Sequence, residues 1–252
     1  MNKENMKTCC ILGTNIMVTN MQEVVAIIEQ NIEQLRGEYI CVSNVHTTVM
    51  AYENADYQKV QNSAVMALPD GKPLSVTSRK RGFTEAERVT GPDLMLELFQ
   101  RKNGLRHFFY GSSPETLAQL KQKLTIKYPY MEIADMISPP FRPLTEAEDE
   151  EMVRKINEVK PDILWVGLGA PKQEQWMYEH RGKINAVMVG VGAGFDYHAD
   201  VIKRAPEWMQ RCSLEWLYRL MQDPKRLFKR YFNTNFKFMY LIHKENRSKK
   251  NG

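Results

Sequence analysis

Ile163-Leu164-Trp165-Val166-Gly167-Leu168-Gly169-Ala170-Pro171-Lys172-Gln173-Glu174 is the stretch that decides the fold. Four apolar residues in a row leave no polar face, the pattern of a strand covered on both sides. Small residues end the run, and a helical pattern opens at Lys172 and continues to His180. Outward in both directions the same unit recurs. Short apolar, β-rich runs lie at 39–42, 65–68, 107–110 and 186–191, each followed by Gly, Pro, Ser or Asn. Helical patterns at 21–35, 93–102, 114–127 and 146–159 fill the gaps. Strands alternating with helices predict an α/β domain, a mainly parallel sheet with helices on both faces. Thr145-Glu146-Ala147-Glu148 reads as a cap with an acidic first turn, so its charge belongs to a solvated helix start.

The alternation stops near residue 199. Residues 1–198 are one predicted domain, 199–246 a basic helical appendage and 247–252 a disordered tail. The 252 residues are 43% hydrophobic and 26% charged, an ordinary globular balance. No run of 18 apolar residues offers a membrane span, and the polar N-terminus lacks the apolar core of a secretory signal. Cys9, Cys10, Cys41 and Cys212 show neither metal nor redox spacing, as reduced cytoplasmic thiols do. The net charge of +5 hides an asymmetry. Residues 200–252 carry 13 Lys and Arg against 5 Asp and Glu, while the remainder is slightly acidic. That distribution points to an anionic partner.

In parallel sheets, ligands bind beyond the carboxyl ends of the strands. Four such ends carry polar residues. Ser43 and Asn44 follow the first strand. Pro69-Asp70-Gly71 follows the second, where Asp70 is either turn chemistry or a group presented to a ligand. Gly111-Ser112-Ser113-Pro114 joins the third to a helix, as a plain loop or as a diphosphate cradle at a helix N-terminus. Gly169 precedes Lys172 and Gln173 at the fourth. Gly167-Leu-Gly169 and Gly190-Val-Gly192-Ala-Gly194 both miss the G-x-G-x-x-G dinucleotide pattern. The five histidines are scattered and no Asp-x-Asp is present, so no metal site and no cofactor are expected.

In the appendage, Phe228, Phe232 and Phe236 recur every four residues, interleaved with Arg226, Lys229, Arg230 and Lys237. A helix there either packs on the sheet domain or lies in an anionic membrane interface. Single-stranded nucleic acid would also use aromatics with Arg, but the helical spacing and the lack of any recognised module speak against it. Ser213 is a candidate N-cap for the preceding helix, with Leu214, Leu217, Tyr218 and Met221 as its apolar stripe.

These pieces together resemble the WecG/TagA/CpsF glycosyltransferases over about residues 10–232. The carriers are Val42-Ser-Asn44-Val, Leu68-Pro-Asp70-Gly71-Lys-Pro, Arg88-Val-Thr-Gly91-Pro-Asp93, Gly167-Leu-Gly169-Ala-Pro171-Lys-Gln173-Glu174, Gly190-Val-Gly192-Ala-Gly194-Phe-Asp196, Lys203-Arg204-Ala-Pro206 and Leu214-Glu-Trp216-Leu-Tyr-Arg219-Leu. The resemblance implies a Rossmann-like domain and an inverting, metal-independent transferase, peripheral on the inner face of the cytoplasmic membrane. It implies transfer from a UDP-sugar to an undecaprenyl-diphosphate-linked acceptor sugar. N-acetylmannosamine onto GlcNAc, as in teichoic acid synthesis, is the first expectation. UDP-glucose, UDP-glucuronate and other UDP-hexoses are rival donors, and monomer and homodimer both stay open. By position, Asp70 matches the general base, Asn44 a sugar-positioning residue, Arg88 a phosphate or acceptor contact and Gln173 a nucleotide-sugar contact. Arg219, Arg226 and Arg230 match basic positions that meet the diphosphates. Ser43, Gly111, Gly169, Lys172 and Gly192 complete the expected binding set. Val42 stands where some members have Thr, and His198-Ala199-Asp200 where many have a small residue and Gly. In another class altogether, a peripheral protein that binds nucleotide sugar or RNA without catalysis would share the basic tail.

Overall fold

The computed structural model describes residues 6–206, 208–209 and 214–251, without the side chains of 225, 226, 229–231 and 248–251. The chain opens with an antiparallel hairpin, β1 (Thr8–Ile11) and β2 (Thr14–Met17), followed by α1 (Met21–Gln30) and α2 (Ile32–Leu35). The sheet domain continues with β3 (Tyr39–Ser43), α3 (Val45–Glu53), α4 (Ala55–Ser63), β4 (Met66–Pro69), α5 (Lys72–Lys80) and α6 (Gly91–Phe99). Then come β5 (Arg106–Gly111), α7 (Pro114–Lys127), β6 (Glu132–Ile137), α8 (Glu146–Glu158), β7 (Ile163–Gly167), α9 (Lys172–Glu179), β8 (Val187–Gly190) and α10 (Gly194–His198). Two helices, α11 (Glu215–Gln222) and α12 (Pro224–Asn251), end the chain.

The six-stranded sheet has the order β4-β3-β8-β7-β5-β6, with every neighbouring pair parallel. Alternate residues of each strand enter two separate cores. Ile40, Val42, Leu68, Phe109, Trp165 and Val189 pack on one face with residues of α1, α6 and α7. Tyr39, Cys41, Ala67, Tyr110, Leu164 and Met188 pack on the other with α3, α5, α8 and α9. This doubly covered sheet is why the strands read as unbroken apolar runs.

The second core also takes in Phe238 and Leu241 of α12. The distal half of that helix is therefore part of the domain's packing. Arg81, the residue that caps the end of α5, reaches it through Glu245 at 2.7 Å, and Lys237 pairs with Glu53 of α3. The helix continues to Asn251, through the segment expected as a tail.

Several local outcomes differ from the sequence pattern. The helix expected over 21–35 is two helices, because Asn31 leaves helical geometry and its side-chain amide donates to the Ile27 carbonyl at 2.9 Å. The expected helix at 93–102 instead starts at Gly91, where Thr90 caps it by accepting from the Asp93 N–H. Ser213 lies outside the described residues.

Candidate active site

Parallel pairing brings the carboxyl ends of β3, β4, β5, β7 and β8 to one edge of the sheet. At its β3/β4 end two strand ends are tied directly, since the Asp70 N–H donates to the Ser43 carbonyl at 2.7 Å. Asn44 caps α3, and its amide oxygen accepts from the N–H groups of His46 and Thr47 at 3.0 and 3.2 Å. That use of the oxygen leaves the NH2 to donate to the Asp70 carboxylate. Gly71 follows with φ +92°, a left-handed turn that lets α5 start immediately beyond the acid.

Asp70 carries an unusual charge environment. Burial pushes its carboxyl up to about 7; the Glu215 charge pushes the same way, while Arg88 and the Asn44 hydrogen bond pull against both. Arg88 does not face Asp70 alone. One Nη donates to Glu215 at the start of α11 at 2.8 Å, and the other lies 3.5 Å from Asp93. Asp93 is further held by Thr90 Oγ1 at 2.6 Å and by Arg204. A chain of alternating charges, Glu215–Arg88–Asp93–Arg204, thus stitches the C-terminal segment to the strand-end edge.

Arg219 lies one helical turn beyond Glu215, on the same side of α11. Its guanidinium stands 5.6 Å from the centre of the Tyr197 ring, and its Nε is buried without a hydrogen-bond partner. Backbone groups of Lys203 exchange hydrogen bonds with the Gln222 side chain at 3.0 and 3.2 Å, which docks α11 on the segment after α10. The Arg226 and Arg230 side chains lie outside the described ones.

A second group of expected residues is drawn into the interior. The Ser43 hydroxyl is fully buried and donates to Gln61 at 2.6 Å. Gln61 donates to the Tyr57 hydroxyl at 2.9 Å, and that hydroxyl donates to Glu174 at 3.1 Å. Gln173 donates to the other Glu174 oxygen at 2.7 Å and accepts from the Gly192 N–H at 3.0 Å. Burial raises the Glu174 carboxyl. This buried chain runs under the edge from the β3 end to the β8 end and fixes the Gln173 amide. Neither Tyr57 nor Gln61 was singled out from the sequence, since a helical Tyr and Gln four residues apart resemble any amphipathic face. Glu174 resembled an ordinary first-turn acid.

The glycines divide. A Cβ on Gly111 would come within 2.5 Å of the Gly167 backbone, so close approach of β5 and β7 requires glycine there. The Ser112 N–H is spent on the Gly167 carbonyl at 3.2 Å, and the Ser113 hydroxyl caps α7. One loop N–H is thus spent within the protein, and the Ser113 hydroxyl accepts from the Thr116 N–H at 3.2 Å. At Gly169, by contrast, a Cβ would meet nothing within 4 Å, and exposed Lys172 begins α9 just after it. Among the described residues, no three His, Cys, Asp or Glu side chains group to hold a metal ion, and no helix is long and apolar enough to cross a membrane.

A family model for the glycosyl transferase WecG/TagA/CpsF family matches residues 9–252. Two Bacillus proteins are similar along much of their length. One from Bacillus subtilis is 31% identical over 97% of this chain and 94% of its own. Another, from Bacillus spizizenii, is 32% identical over 77% of this chain and 75% of its own. A Staphylococcus aureus protein is 29% identical over 86% and 85% respectively. All three are named N-acetylglucosaminyldiphosphoundecaprenol N-acetyl-beta-D-mannosaminyltransferase.

Proposed function

The chain belongs to the WecG/TagA/CpsF family of glycosyl transferases, and from that premise we propose that it moves N-acetylmannosamine from a UDP-sugar to GlcNAc-diphosphoundecaprenol. The acceptor and the sugar are those in the relatives' names. One observation carries the chemistry: a carboxyl at the end of β4, held by Asn44 and with its proton affinity raised to about 7. A base must ionise near working pH and yet bind a proton well, and a carboxyl raised to about 7 suits that task.

Asp70 takes the proton of the acceptor hydroxyl as its oxygen attacks the anomeric carbon. The new carbon–oxygen bond forms opposite the departing UDP, whose bond to that carbon breaks, so the configuration inverts. UDP leaves with the bond's electrons, and the growing charge needs a cation or aligned N–H groups. Arg219 supports that role because its Nε lacks a partner and a guanidinium fork suits phosphate oxygens. Arg226 and Arg230 follow on α12 and serve the same diphosphates. No step calls for a metal. The apolar side of α12 rests on the membrane face where the lipid acceptor is anchored, which makes the protein peripheral.

UDP release from a panel of UDP-sugars, with a short-chain polyprenyl-diphosphate-GlcNAc acceptor and EDTA, tests the reading. Acceptor-dependent release with UDP-N-acetylmannosamine, lost in Asp70→Asn while UDP binding persists, is the expected result. Release with UDP-glucose or UDP-glucuronate instead would replace the donor. Turnover abolished by EDTA and restored by a divalent ion would overturn metal independence. UDP binding with no turnover on any donor, unaltered in Asp70→Asn, would favour a non-catalytic binding protein.

A further inference from the structure

The Val89 N–H donates to the Pro69 carbonyl at 2.9 Å, which sets Arg88 beside Asp70 at the end of β4, yet two other carboxylates hold its guanidinium. Those are Glu215 at 2.8 Å and Asp93 at 3.5 Å. Glu215 makes the shorter contact and comes from a different part of the chain, the first turn of α11. We propose that Glu215 is a positioning residue for sugar transfer: it draws Arg88 off the Asp70 carboxylate, so the docked C-terminal segment keeps Asp70 a strong base. This rests on Asp70 being the base.

The groups that face Asp70 come from four elements. Asn44 at the β3 end donates to it, Arg88 before α6 attracts it, and Asp93 of α6 and Glu215 of α11 repel it. Arg204 stands behind Asp93 and is engaged by it. Removing the Glu215 charge acts twice in the same direction. It takes away one repulsive charge, and it releases a guanidinium that Asp70 then attracts. Both favour the ionised carboxylate and weaken it as a base. A second tie, between Gln222 and the Lys203 backbone, holds the far end of the helix.

The test uses the full chain without ligand. Selective 13C labelling of aspartate carboxyls, with the Asp70 signal assigned by its loss in Asp70→Asn, gives the titration midpoint by NMR. Glu215→Gln is expected to lower that midpoint by about one pH unit or more. Glu215→Asp, which keeps the charge, stays within a few tenths of the wild type. In turnover of UDP-N-acetylmannosamine with the polyprenyl-diphosphate-GlcNAc acceptor, the acid limb of kcat/KM moves down with the Gln variant and its plateau falls. An unmoved midpoint in Glu215→Gln, with activity reduced equally at every pH, would overturn the proposal and leave Glu215 a structural tie. If Asp70→Asn retained turnover, the base assignment would fail, while the NMR midpoint would still report whether Glu215 governs Asp70.

Discussion

A carboxyl that holds its proton up to pH 7 in the fold and only to about 4 when unfolded exacts a stability penalty as pH rises. The folded state binds the extra proton between those values. Stability from this group is therefore full below about pH 4, declines through the interval and is lost above 7. Asp70→Asn removes the burden. Its melting temperature is expected to exceed the wild type's at pH 8, by the equivalent of up to about 4 kcal/mol, and to converge with it toward pH 4. Thermal scans at several pH values check the sign; a variant less stable at pH 8 would contradict the environment described for Asp70. Tyr57 offers the opposite case. Tyr57→Phe removes the hydroxyl joining Gln61 to Glu174 and leaves two buried groups unmet, a loss of about 1–3 kcal/mol in chemical denaturation. Gly111→Ala drives a Cβ into the Gly167 backbone at φ +130° and is expected to destabilise by about 2 kcal/mol or more.

Among the elements, α12 has two apolar sides with different employment. Phe238 and Leu241 are buried in the domain, while Phe228, Phe232 and Phe236 remain 59%, 55% and 56% exposed. Leu241→Ala should lower stability by about 2–3 kcal/mol and leave binding to anionic vesicles nearly intact. Changing the three Phe to Ser should leave the melting temperature unchanged and weaken co-sedimentation with those vesicles at least tenfold. Equal vesicle binding would remove the membrane role of this stripe. Deleting everything after residue 198 is a poorer probe, because it also strips Phe238 and Leu241 from the second core. The elements differed in how plainly the sequence declared them. Strands β3, β4, β5, β7 and β8 are uninterrupted apolar runs because both faces are covered. Edge strand β6, Glu-Ile-Ala-Asp-Met-Ile, is half exposed and looks like a loop with two acids. Helix α5 buries Ser75, Thr77 and Ser78 beside Leu74, so its inner face carries no apolar stripe to read. Asp70 and Asn44 were visible at strand ends. Glu215 was not, since only the folded α11 brings it to Arg88.

Over the whole molecule, the sheet gathers its strand ends at one edge, and the basic C-terminal segment closes back on that edge through Arg88 and on the rest of the domain through Arg81. Charge follows this plan: a mildly acidic body, and a last fifth of the chain rich in Lys and Arg. Vesicle binding is expected to strengthen with anionic lipid content and to weaken as salt rises from about 0.05 to 0.5 M, since exposed charges are screened within a Debye length. The exposed Phe stripe predicts a residue of binding that survives high salt. Attraction lost completely at high salt would assign the contact to charge alone.

Helix α12 is 28 residues long, about 42 Å. Its far end is pinned to the opening hairpin and α5 by Glu245, so the helix cannot roll or slide freely against the sheet. A rigid strut of this kind works as a depth gauge. With its aromatic rings at a lipid boundary, as proposed, the height of the Asp70 edge above the bilayer would be set by the protein and not by the substrate. The proposed acceptor would then have to stand at that height on its own diphosphate stalk. A lipid-linked sugar one residue too short or too long would meet the edge at the wrong level, and reach becomes a criterion of choice alongside chemistry.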